Sequence, residues 1–378
     1  MDINNTVCNS KKNNKINIFR YILVAFATFS TGFILLKFPE CTYEGVKEGL
    51  DISFNMLIPS LFPFLVFSAF VVNSEICTYL FRPLKKIIYN LFLLPEQAIT
   101  VFALSVIGGY PIGPQMIKKL YEKGEISQLQ GKKMLLFCMN PSPAFVISTV
   151  GYLFLESERT GIIIFLIIIT SSTIIGILQR FIIADEYPYK FNNKNGNKYH
   201  SVSQVLIKSV ENSVESAIRI CAWVMLFNCL LKVVDSTVID SSVRLFIYGV
   251  CEVTAGCNLL SKSAPVPTIA GALAFGGICT HLQILPCIKK LNLKYKYFFT
   301  SRILISALSV IICKALISIF PESIQTVSIG NKPIYSSWGV SAGVTISIII
   351  LSLLILIGDN HIFKIRKTTD IDKYEKIN

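Results

Sequence analysis

Four short stretches of this chain place residues able to do chemistry inside runs that are otherwise apolar. They are Gly108-Gly109-Tyr-Pro-Ile-Gly113-Pro-Gln115, Asn140-Pro-Ser142-Pro143, Glu252-Val-Thr254-Ala-Gly256 and Gly276-Gly277 through Gln283. The first packs three glycines and two prolines into seven residues, within an uncharged run from Gln97 to Ile117. Proline removes a backbone donor and biases the residue before it away from helical geometry. At membrane depth such a break persists only where it is buried in protein or lines a polar cavity. The half-helices on either side then present N–H groups of partial positive charge, which suit an anion. Gly108, Gly109, Gly113, Asn140, Ser142, Gly276 and Gly277 are therefore candidates for close approach of a ligand to backbone. Gln115 and Gln283 offer side-chain amides. The same glycines also serve close helix packing, and the amides interhelical hydrogen bonds.

Glu252, with Thr254 beside it, is the clearest ionisable group inside an apolar run, Leu245 to Leu260. A carboxylate at that depth is costly and marks a functional site by default, here for a coupling proton or sodium ion. The other reading is a structural pair with Arg219 or Arg302. Glu215 and Arg219, spaced i,i+4, read as a local helix pair. His281 either titrates near neutrality or packs with its nitrogens hydrogen-bonded. Lys232 and Lys314 sit near run ends and snorkel. The chain contains no P-loop, no H-E-x-x-H and no Ser/His/Asp spacing, which argues against an ATP-driven pump and an intramembrane hydrolase. Its eleven cysteines form no C-x-x-C pair; no metal site, disulfide framework or cofactor is expected.

The elements that position these residues follow from composition. Mean hydropathy is +0.58 and only 16% of the 378 residues are charged, against ~25% in soluble domains. Uncharged runs approach the ~20 residues that cross a bilayer along the whole length. The net charge of +13 reads as lysines between spans obeying the positive-inside rule, with lipid and not nucleic acid as the partner. Residues 1–18 form a cytoplasmic tail and 19–43 hold the first span. An acid-leaning outer loop (Glu40, Glu44, Glu48, Asp51) precedes a span at Ser53–Val72, kinked at Pro59 and Pro63. A short amphipathic helix carries Arg82, Lys85 and Lys86. Gln97–Ile117 dips in and returns. Met134–Leu155 is broken at Asn140–Pro143, and Gly161–Ala184 is unbroken. After a cytoplasmic loop at 185–204, an amphipathic stretch from 205 leads into Ile220–Leu231. Ala264–Ile288 is broken at Gly276-Gly277. Spans near Ile303–Phe320 and Ser336–Gly358 precede a cytoplasmic tail at 359–378. The expected fold is an all-α polytopic membrane protein with about eight transmembrane helices plus two re-entrant or broken elements, both termini cytoplasmic.

Gly108-Gly109-x5-Gln115 recurs as Gly276-Gly277-x5-Gln283, each followed by Lys-Lys-Leu. Lys47–Val72 and Glu211–Val234 share an acidic-then-apolar texture. Residues 44–184 and 205–358 thus read as two related halves, and charge counting runs Ser53–Val72 and Ile220–Leu231 in opposite directions, as in an inverted repeat. Paired broken segments of this kind point to a transport site.

Pro59-Ser-Leu-Phe-Pro-Phe64, Gly108 to Gly113, Cys138-x-x-Pro141-Ser-Pro143-Ala144-Phe145, Glu252-Val-Thr254 and Phe275-Gly-Gly277 with Gln283 resemble the sporulation integral membrane protein YlbJ family. That family belongs to the nucleoside-recognition, or Gate, group, and the likeness covers roughly residues 20–355. It departs at Pro114-Gln115, where a small residue and a lysine are expected, and at Ala255, where asparagine is usual. The resemblance implies two Gate-like halves whose paired hairpins form a substrate site, in a membrane around the forespore of an endospore-forming bacterium. It implies passage of a small anionic solute, dipicolinic acid foremost, with other sporulation membrane proteins as partners. A non-transporting scaffold for spore assembly, acting through the 185–204 loop and the tails, and a nucleoside carrier are the other readings.

Overall fold

In the computed structural model, residues 35–74, 91–95, 97–182, 202–236 and 240–319 are described, with scattered helical positions between 22 and 33. The tail 1–18, the basic helix around Arg82, most of the 185–204 loop, the span Ser336–Gly358 and the tail 359–378 lie outside them. No strand occurs among the described residues.

Pro39 opens α1 (Pro39–Ile52), with Glu40 in its first turn, where a missing donor and a negative charge both suit a helix N-terminus. The acidic segment expected as an outer loop is thus helical. Its glycines explain why: a Cβ at Gly45 would stand 2.6 Å from Cys229 Cα, and one at Gly49 2.7 Å from Met225 Cα. The two helices touch backbone to backbone through this stripe of small residues. Glu48 meets Lys232 across the same contact at 3.0 Å, so Lys232 pairs rather than merely snorkels. The expected kink near Pro59 appears as a π-helical turn, Ser53–Leu57, leading into α2 (Ile58–Asn73).

Two hairpins and two interrupted helices follow. α3 (Gln97–Gly108) ends at Gly109, whose φ of +89° only glycine adopts without strain. The chain then turns back into α4 (Ile112–Glu122), which packs on α3. α5 (Gln128–Leu135) starts from a Ser127/Gln130 capping box. After a break at 136–143 a π-helix, Ala144–Phe154, continues. α6 (Glu158–Ile182) packs along that π-helix, and the 34-residue α7 (Val202–Asp235) lies against α1 and α2. α8 (Ser241–Cys251) and α9 (Val253–Ser263) fold on one another about Glu252. A Cβ at Gly256 would stand 2.7 Å from the Tyr248 carbonyl oxygen. The run Leu245–Leu260, expected as one stretch, is therefore a hairpin. α10 (Val266–Phe275) and α11 (Gly277–Lys290) are interrupted at Gly276, φ +86°, and α12 (Tyr295–Ile319) closes the described chain.

The order hairpin, interrupted helix, unbroken helix thus occurs over 97–182 and again over 241–319. In that order the place of Gly109 is held in the later series by Glu252, and that of Asn140–Pro143 by Gly276. The Gly-Gly pair read from the sequence joins a hairpin to an interrupted helix. Among the described residues, five helical stretches are long and apolar enough to cross a membrane: Pro39–Val71, Glu158–Arg180, Val202–Asp235, Val266–Lys290 and Tyr295–Ile319. The chain is an all-helical integral membrane protein.

Candidate functional site

The breaks are held by side chains that replace the amides they lack. In a continuous helix the Phe137 carbonyl would accept from residue 141 and the Met139 carbonyl from residue 143; both are prolines. Asn140 Nδ2 donates to the Phe137 carbonyl instead, at 3.1 Å. Arg302, fully buried on α12, donates to the carbonyls of Met139 at 2.5 Å and Leu136 at 3.0 Å. Asn140 is fixed further by Ser105 (3.1 Å) and by the Ser172 hydroxyl, which donates to its Oδ1. Its bonding capacity is spent inside the protein.

At the other interrupted helix, the Phe275 carbonyl beside the Gly276 break accepts from His281 Nε2 at 3.0 Å. Since a carbonyl only accepts, Nε2 carries the proton and Nδ1 takes the bond from Tyr295 Oη at 3.1 Å. Phe275, Phe298 and Phe299 surround the ring. Of the two readings for His281, the packed one holds. Tyr110 Oη crosses from the first hairpin to donate to the Leu273 carbonyl, 2.7 Å away, and ties that hairpin to α10.

Between these breaks lies an open-sided cavity, about 540 Å³ of empty space when its open mouth is included. Leu57, Leu61, Leu65, Phe145, Ile220 and Val224 make its apolar wall. Its polar rim brings together six of the residues singled out from the sequence: Gly108, Gly109, Ser142, Glu252, Thr254 and Gln283. Tyr110 and Thr280 join them; both lay within the quoted motifs without being singled out, and a hydroxyl beside a break was the available signal. The rim coincides with the starts of four helices. Pro111 precedes α4, Ser142 precedes the π-helix, Val253 and Thr254 begin α9, and Thr280 lies in the first turn or two of α11. Ser142 Oγ accepts from the Phe145 amide at 3.2 Å.

The remaining five candidates lie outside the cavity. Gly113 is a contact glycine, for a Cβ there would stand 1.9 Å from the Cys138 carbonyl oxygen. Gly276 packs against Tyr110 and Met139, and Gly277 against the Val253 amide nitrogen, 3.1 Å from where its Cβ would be. Asn140 is spent on the break. Gln115 lines a separate, neighbouring cavity.

Glu252 is 1% exposed and caps α9, its Oε2 accepting from the Ala255 amide at 2.6 Å. Neither expected cationic partner reaches it. Arg219 pairs with Glu215 one turn away, and Arg302 is engaged by the carbonyls of the α5 break. No lysine or arginine lines the cavity among its described residues. The arrangement is a largely apolar cavity bordered by the starts of four helices and by one carboxyl side chain, which caps one of them. No group of three or more histidine, cysteine or acidic residues suited to a metal occurs among the described residues.

No family model matches the chain, and no solved structure matches it. Among curated proteins it is similar to the sporulation integral membrane protein YlbJ of Bacillus subtilis (strain 168), 21% identical over 365 residues. The match covers 86% of this chain and 85% of the relative, so it runs through both hairpins and both interrupted helices. That extent supports membership of the YlbJ family.

Proposed function

We propose that this protein is a permease, not an enzyme, that moves a small organic anion across a membrane surrounding the developing spore. Dipicolinic acid is the leading candidate. The spore setting is taken from the relative's name. The observation that carries the transport reading is the cavity: the starts of four helices border it, and Glu252 is its one carboxyl side chain among the described lining residues.

Backbone N–H groups at four helix starts supply partial positive charge without any lysine. They offset part of the cost of taking a carboxylate out of water. A bound anion and an ionised Glu252 in one chamber repel each other, so a proton taken up by the pair lowers the energy of the loaded state. This makes a proton the natural coupling ion. The hairpin, interrupted helix and unbroken helix of each half are read as an inverted repeat, whose rocking about the shared cavity would expose it to each side in turn.

The test is uptake by the full chain reconstituted in liposomes, with dipicolinate and a nucleoside offered separately. Glu252→Gln and Gly109→Leu are expected to abolish dipicolinate accumulation while the protein still reaches the membrane. Wild-type accumulation in both variants would overturn the reading, and movement of the nucleoside alone would reassign the substrate.

A further inference from the structure

A second cavity, of about 430 Å³, lies between α2, α4 and α7 next to the central one. Its lining is more polar: Gln115, Asn212, Ser213 and Ser216 face it, with Lys119 exposed at its rim. The charges acting on Lys119 are those of Lys208 and Lys123, both positive. The nearby carboxylate of Glu122 is engaged by Lys290 at 3.4 Å, and Lys123 is itself paired with Glu125 at 3.8 Å, so the positive charge at the mouth rests on Lys119 and Lys208. The mouth of this second cavity is therefore basic, whereas the inner cavity holds a carboxylate.

The two cavities share one residue, Leu65. It belongs to a small apolar cluster with Val71, Leu104 and Ile112, against which Leu61, Met116 and Ile220 pack. Leu61, Leu65 and Ile220 face the central cavity, while Leu65, Ile112 and Met116 face the outer one. What separates the cavities is apolar from both sides. Such a constriction excludes ions by shedding water and opens by small displacements of its side chains.

Building on the permease reading, we propose that the outer cavity is the entrance station for a small organic anion and that the Leu65–Ile112–Ile220 cluster is the hydrophobic gate between it and Glu252. Lys119 and its lysine neighbours raise the local anion concentration. Gln115, Asn212 and Ser216 replace part of the anion's water shell. The structure is the closed state of this gate. The reading also assigns Gln115 a place apart from Gln283: the two amides serve successive stations on one path.

The test uses the full chain in lipid nanodiscs with Ser142→Cys as a reporter in the central cavity. Labelling by anionic and cationic methanethiosulfonates of similar size is read peptide by peptide in a mass spectrometer, so the native cysteines do not interfere. With the gate intact, Cys at 142 should label slowly. Leu65→Ala, or Ile112→Ala should the first not fold, is expected to raise the rate on the order of tenfold by widening the constriction. Lys119→Glu in the opened background should lower the anionic-to-cationic rate ratio about three- to fivefold, the effect of reversing one charge near the path in a watery medium. Fast labelling with Leu65 in place, no response to either alanine, or an unchanged ratio would overturn the proposal. If uptake fails but labelling responds as stated, the permease reading falls and the gated entrance stands. Uptake without a labelling response refutes the gate alone.

Discussion

Arg302 gives the sharpest test of how the broken helices are held. Its guanidinium sits in the protein interior at 0% exposure, donating to the carbonyls of Met139 and Leu136, with the Phe298 ring centroid 5.9 Å from its Cζ. Pro143 has left the Met139 carbonyl without a backbone partner, so in Arg302→Met two buried acceptors lose their donors at once. Each unpaired carbonyl costs ~1–3 kcal/mol, and hydrogen bonds from a charged donor are each worth ~1.5–3 kcal/mol. These overlap rather than add, and removing a buried charge returns part of its desolvation cost. The net loss is about 3 kcal/mol, within the range for unpairing a buried polar network. Arg302→Lys keeps the charge but offers a single point donor in place of a fork, and should lose roughly half as much. Reversible unfolding of the purified protein in bicelles, at fixed lipid ratio, measures both. Equal stability of wild type, Met and Lys variants would refute the view that Arg302 substitutes for the missing amides.

Two further perturbations separate packing from binding. Gly113→Ala places a methyl 1.9 Å from the Cys138 carbonyl oxygen and 2.7 Å from Ser105 Cβ, so α4 must shift; it should destabilise by ~1–3 kcal/mol or more. Gly124→Ala, at φ +71° with nothing within 4 Å, should cost only the ~1–2 kcal/mol of left-handed backbone; equal thermal shifts in the two would discredit the contact argument. His281→Phe removes the bond to the Phe275 carbonyl and should lower stability by ~1–2 kcal/mol. The pH profile of uptake should keep its shape in this variant, because His281 does not line the cavity; a displaced profile would return His281 to the transport step.

The positions of the breaks were legible because proline and glycine mark where the helical ladder fails. What the chain does after a break was not. Gly109 and Glu252 turn the chain back, while Gly276 lets it continue, and the local residue types do not separate these outcomes. The direction is set by distant surfaces: Gly256 admits the backbone of Tyr248, and Gly271 lets the Val310 side chain approach to 2.6 Å from where a Cβ would be. The acidic segment 40–51 misled for a similar reason. Its charges suggested a loop, whereas Gly45 and Gly49, four residues apart, carry the face that buries on α7.

Among the site residues, the same distinction separates binding from repair. A polar side chain in a break either faces a ligand or serves the orphaned backbone, and counting missing amides tells which. Pro141 accounts for Asn140 and Pro143 for Arg302, so neither is free for a solute. Ser142, between those prolines, caps only the Phe145 amide and still faces the cavity. Glu252 caps α9 and also borders the cavity, so its carboxylate serves the fold and faces the space a solute would occupy. With no lysine or arginine in the described cavity wall, the positive charge available to an anion there comes from helix starts alone. That charge is fixed in place and cannot be titrated away. The basic residues stand instead at the outer mouth, where on the permease reading Lys119 and Lys208 would attract an anion without trapping it beside Glu252.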